Sequence, residues 1–112
     1  MKKELQNKIN QLSLIEQNLQ NFSLQKQQFQ VQLMEVESAE KELSDSKEAY
    51  KIISNIMVAS DKEKIKKELK DRKEVLKTRI ESFEKQEAKL KEKAEELQKE
   101  VLDEMKQSEK SD

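Results

Sequence analysis

Carboxylate and ammonium groups are the reactive side chains this sequence holds in quantity, 24 Asp and Glu against 23 Lys and Arg, with no Cys and no His. Without thiols or imidazoles there is no disulfide, no zinc site of the usual ligand types, no thiol nucleophile and no imidazole acid or base. Carboxylates alone can hold a hard cation, and Glu95 beside Glu96 is the nearest approach to such a pair. Adjacent residues of a helix point in different directions, so these two read as solvated and no metal is expected. The chain contains no Gly, which removes any glycine-rich phosphate cradle. Lysines at Lys66-Lys67 and at Lys91 and Lys93 raise the question of nucleic acid. Acidic residues interleave them throughout, and no aromatic stacking platform accompanies them, so they read as a solvated face. The inventory points away from an enzyme and from any cofactor.

Composition sets what must position these residues. At 112 residues the chain reads as one domain, and with 42% charged and 33% hydrophobic residues it is too polar for a large globular core. A net charge of -1 supplies no overall field for nucleic acid or an anionic membrane. Gly and Pro are both absent, which permits very long helices and requires any bend to be made by other residues. Met1 to Asn7 is basic without an apolar run behind it, so neither a signal peptide nor a membrane span is expected, and the location is read as cytoplasmic.

Two heptad arms follow. In the first, steps of three and four pick out Leu5, Lys8, Leu12, Ile15, Leu19, Phe22, Lys26, Phe29, Leu33, Val36, Glu40 and Leu43. In the second they pick out Leu69, Lys73, Leu76, Ile80, Phe83, Glu87, Leu90, Ala94, Leu97 and Val101. Faces outside the second seam carry both signs of charge, as on a solvent-exposed helix with weak i,i+4 pairs. The first arm is rich in Gln and Asn before Glu35, which reads either as a solvated face or as an uncharged, adaptable surface for peptides.

An antiparallel register that sets Leu43 against Leu69, Leu33 against Ile80, Phe29 against Phe83, Phe22 against Leu90 and Leu12 against Val101 also places Lys26 opposite Glu87 and Glu40 opposite Lys73. Charges facing each other in a seam cost stability but specify alignment, because a slip leaves a charge against Leu or Phe. Between the arms, Tyr50 to Ile53 and Ile56 to Ala59 are β-branched and aromatic, with Ser54-Asn55 as a two-residue loop in which Asn tolerates the left-handed conformation. Ser60 with Glu63 fits a capping box, and Asp61 adds negative charge at the start of a helix.

The expected architecture is mainly α. It is a long antiparallel coiled-coil helical hairpin, helix 1 over about 3–46 and helix 2 over about 61–107, with a small β-hairpin over about 49–60 at the bend. A lone strand pair is marginal in water and exposes its edges, so Tyr50, Ile52, Ile53, Ile56, Met57 and Val58 are expected to join strands of other subunits. From that hub each arm, at roughly 40 residues and about 1.5 Å per residue, reaches around 60 Å.

At this point the sequence resembles the prefoldins. The likeness rests on Ser23-Leu24-Gln25-Lys26-Gln27, on Glu48-Ala49-Tyr50-Lys51 followed by Asn55-Ile56-Met57-Val58, and on Glu68-Leu69 with Glu84-Lys85-Gln86-Glu87. It covers nearly the whole chain, and the single hairpin is similar to that of the archaeal beta class. Beta-class subunits usually carry Gly where this chain has Ser54.

The resemblance implies a hexamer of two alpha-class and four beta-class subunits, with hairpins in a double β-barrel platform and coiled coils hanging as tentacles. It implies ATP-independent capture of unfolded polypeptides at the tentacle tips and delivery to a group II chaperonin. On that reading Leu5, Ile9, Leu12, Leu14, Val101, Leu102 and Met105, near the free ends of both arms, are the candidate client-binding residues. Coiled-coil packing is the competing role for Leu12 and Val101. A structural coiled-coil scaffold that binds no client is the alternative function, and it gives no reason for the β-like insert.

Overall fold

The computed structural model describes residues 2–53 and 55–110. Element order is α1 (Lys2–Asp45), β1 (Ala49–Ile53), β2 (Ile56–Ser60) and α2 (Lys62–Lys110). The two long helices form an antiparallel coiled-coil hairpin with the two-stranded sheet between them in the chain. Their length follows from the missing Gly and Pro together with runs of Leu, Glu, Gln and Lys, all strong helix formers.

Where α1 stops, Ser46 closes the turn. The Ser46 amide donates to the Leu43 carbonyl at 3.3 Å, and the Ser46 hydroxyl donates to the Glu48 carbonyl at 2.6 Å. The final turn of α1 has no basic residue to offset the negative end of the helix dipole. Lys62, the first residue of α2, fills that role: its ammonium donates to the Ser46 carbonyl at 2.6 Å and reaches the Ser44 carbonyl at 3.5 Å.

The strands pair antiparallel, Ala49 opposite Ser60, Lys51 opposite Val58 and Ile53 opposite Ile56. This leaves a two-residue connection. Asn55 has φ of 68°, the left-handed region that a primed hairpin turn requires and that Asn enters at low cost among residues with a Cβ. Ser54, the other residue of the expected loop, lies outside the described residues.

The start of α2 differs from the capping box expected on Ser60. Ser60 is held in the ladder against Ala49, so its backbone belongs to the strand. Asp61 takes the cap instead, with its carboxylate accepting from the Glu63 amide at 3.2 Å and its carbonyl accepting from the Ile65 amide at 3.1 Å.

Two compact units make up the chain, Met1–Gln25 with Ser82–Asp112 and Lys26–Glu81. In the first, which holds both helix termini, Ile15, Leu97 and Val101 are the buried apolar residues, and the rings of Phe22 and Phe83 lie 5.8 Å apart at 50°. In the second, Val36, Ala49, Leu76 and Ile80 are buried, and the Arg79 guanidinium sits 5.5 Å from the centre of the Phe29 ring. Every seam position named from the sequence is buried or half-buried. Phe22 nevertheless meets Phe83 one heptad away from Leu90, because tilted rings attract beyond their area and long aromatic side chains reach along the seam. Among the described residues no large side chain is completely buried, as expected when two helices alone supply a core.

Candidate interaction surfaces

The hairpin is apolar on both faces and covered on neither. Ala49 is the buried residue of β1, set where the strand leaves α1. Tyr50, Ile52, Ile53, Ile56, Met57 and Val58 are all exposed, Ile52 at 69% and Ile56 at 65%. Two polar contacts hold side chains of β1. Lys51 reaches the Glu68 carboxylate of α2 at 3.4 Å, and the Tyr50 hydroxyl donates to Glu48. That bond to the neutral phenol holds the Tyr50 hydroxyl above the usual phenol pKa, and desolvation acts in the same direction. What remains outward is a cluster of β-branched side chains on a two-stranded sheet too small to persist alone.

The second apolar surface lies at the helix termini. Lys8, at a seam position of α1, pairs with Glu104 and stands 3.5 Å from Glu100. The hydrogen bond to Glu104 holds the Lys8 ammonium above the ordinary lysine range; desolvation pulls the other way, and the charges of both carboxylates add to the rise. This pairing brings Leu5, Ile9 and Leu12 of α1 to the same end as Val101, Leu102 and Met105 of α2. Val101 is 9% exposed and Leu5 and Leu12 are half-buried, so these three serve the seam. Ile9, Leu14, Leu102 and Met105 are exposed. Glu104 was missed by sequence reasoning although it lies three residues past Val101, at the next seam step.

Of the register charges, Lys73 lies 3.5 Å from Glu40 within the hairpin-bearing unit. Lys26 is half-buried in that unit, and Glu87 is buried in the unit that holds the termini. Among the described residues no helix is long and apolar enough to cross a membrane, and no three acidic side chains gather as metal ligands.

The pattern described by "Prefoldin subunit" matches residues 6–108. This chain belongs to the prefoldin family. Among curated relatives, the prefoldin subunit beta of Sulfurisphaera tokodaii is 38% identical over 101 residues, covering 88% of this chain and 81% of that one. Prefoldin subunit beta of Archaeoglobus fulgidus is 37% identical over 98 residues, covering 85% and 84%. The crystal structure of the prefoldin beta subunit from Thermococcus strain KS-1 superposes with a TM-score of 0.82 at 35% identity, covering 88% of this chain and 89% of that one. The helix–hairpin–helix order thus belongs to a family of chaperone subunits, not of enzymes.

Proposed function

We propose that this chain is the beta-class subunit of an ATP-independent chaperone, assembled through its hairpin with alpha-class subunits and further copies of itself, two alpha and four beta. In this reading the assembly captures unfolded polypeptides at the ends of the coiled coils and passes them to a group II chaperonin in the cytoplasm. The supporting observation is the division of exposed apolar side chains between the hairpin and the helix termini. Ile52, Ile53, Ile56, Met57 and Val58 form one cluster, while Ile9, Leu102 and Met105 flank the other, beside a seam closed by Lys8. A scaffold needs the first surface but has no use for the second.

Exposed apolar groups beside the end of a seam suit varied partners. Met105 in particular offers an unbranched, polarizable side chain that adapts to different contacts. No nucleotide enters the scheme, since binding and release then depend on the balance between apolar contact and solvent.

The test is truncation within the assembled complex. Removing the residues before Leu12 and after Leu97 is expected to leave the number of subunits in the assembly unchanged while abolishing protection of an aggregating, chemically unfolded client, measured by light scattering. Full protection by the trimmed assembly would overturn capture at the tips.

A further inference from the structure

Charge is distributed very unequally between the two helices of the terminus-bearing unit. From Ile9 to Gln25 of α1 a single charged residue occurs, Glu16, in a chain that is 42% charged. The facing segment of α2 carries Lys85, Lys89, Glu92, Glu96 and Lys99 on its exposed side. The outer side of α1 instead presents Asn10, Leu14, Gln17, Gln20, Asn21 and Leu24, all exposed, with Leu14 at 58% and Leu24 at 60%. At 100° per residue these six fall on one stripe, on the side of α1 away from Ile15, Leu19 and Phe22.

Side-chain amides carry both donors and acceptors, the same groups a peptide backbone presents. Lys and Glu hold their hydration strongly and select partners by sign, whereas a neutral amide surface loses water at lower cost and accepts segments of either charge. Leu14 and Leu24 are ten residues apart, about 15 Å along the helix, a span covered by four or five residues of extended chain at about 3.3 Å each. The stripe therefore offers two apolar contacts separated by amides, on the scale of an extended peptide segment.

We propose that this stripe of α1, and not the charged side of α2, is a docking track for extended, unfolded polypeptide, leading from the helix termini toward Leu24. This rests on the client-capture reading and adds to it a surface on one helix, away from the terminal residues, that recognises peptide groups through Asn and Gln. Charge on the track is then deleterious whatever its sign, while the same change on α2 is tolerated.

The experiment uses the complete assembly with reduced, alkylated α-lactalbumin as a permanently unfolded probe. A photo-crosslinking amino acid is placed at Gln17, at Glu92 of α2, or at Leu102 near the termini. Gln17 is expected to label the probe several-fold more than Glu92. The paired change Gln17→Lys with Asn21→Glu, which adds an i,i+4 ion pair and no net charge, is expected to weaken probe binding about tenfold without altering helix content or assembly mass. The control pair Lys85→Glu with Glu92→Lys is expected to leave binding unchanged. Labelling from Leu102 but not from Gln17, unchanged affinity in the Gln17 and Asn21 variant, or labelling of a neighbouring subunit from Gln17 would each overturn the track and leave tip capture standing. Absence of probe labelling from all three positions would overturn the client-capture reading itself.

Discussion

Lys73 Nζ stands 3.5 Å from Glu40 Oε2, an opposite-charge pair set into an otherwise apolar seam beside Val36, Leu43, Leu69 and Leu76. Neither group is fully dry, at 30% and 29% exposure, yet Glu40 Oε1 is buried without a hydrogen-bond partner among the described residues. A pair placed in this way contributes more to alignment than to stability. Glu40→Lys is expected to destabilise the assembled protein by roughly 1–2 kcal/mol, between the values for exposed and fully buried pairs, and adding Lys73→Glu should recover most of it. Glu40→Leu combined with Lys73→Leu should raise the melting temperature while permitting alternative registers. Thermal unfolding followed by circular dichroism gives the first comparison. A reversed pair no more stable than Glu40→Lys would show that the two charges are uncoupled.

The hairpin makes a sharper prediction about assembly. Replacing Ile52, Ile53, Ile56 and Val58 with Thr keeps β propensity while removing most of the apolar surface, so the change addresses association and not strand formation. Native mass spectrometry of the variant mixed with alpha-class subunits is expected to show released monomers with near-normal helix content. An intact oligomer would refute the role of the hairpin as the joining surface.

Near the helix termini, Lys8 supplies a pH prediction whose sign follows from its environment. Because the bond to Glu104 raises its folded-state pKa, the stability Lys8 contributes is complete below the ordinary lysine value and is lost only as pH climbs through the higher folded value. Followed by the carbon shift of its Cε from about pH 9 to 12, Lys8 is expected to titrate at higher pH in the parent than in a Glu104→Gln variant. Correspondingly, the stability difference between the parent and Lys8→Met should shrink across that alkaline titration and stay constant through the neutral range. Coincident titration of Lys8 in the parent and in the Glu104→Gln variant would remove Lys8 as a closure of the terminal seam.

The seam was legible because heptad spacing is itself the physical cause of burial. Every named position from Leu5 to Leu43 and from Leu69 to Val101 is shielded, and Leu14, Leu24 and Leu102, equally apolar but out of phase, are exposed. The hairpin was legible for a similar reason, since Ile53 and Ile56 close the loop that Asn55 permits. Contacts made by long, flexible side chains across the fold were not. Nothing in the spacing marks Lys62 as the cation that meets the last carbonyls of α1, since that contact depends on the hairpin having already folded. The cap moved from Ser60 to Asp61 because pairing with Ala49 claims Ser60, a tertiary demand that overrides a local motif. Lys8 lacked a sequence partner only because the second seam was traced no further than Val101. The apolar tip and hairpin residues are visible from composition, but their roles depend on other chains.

The turn tests how much of this arrangement depends on one backbone angle. Asn55 is the non-glycine residue with positive φ among the described residues, at 68°. A β-branched residue there meets its own Cβ clash, so Asn55→Val is expected to cost about 1–2 kcal/mol, whereas Asn55→Gly removes the clash and should be neutral or mildly stabilising. The loss falls on the hairpin, because Ile53 and Ile56 pair only if the loop closes in two residues. Asn55→Val should therefore shift assembly to higher subunit concentration while leaving the coiled-coil helicity nearly intact, and Asn55→Gly should not. Sedimentation velocity over a dilution series separates the outcomes. Equal assembly by the Val and Gly variants would mean that the left-handed turn is not what holds the two strands in register.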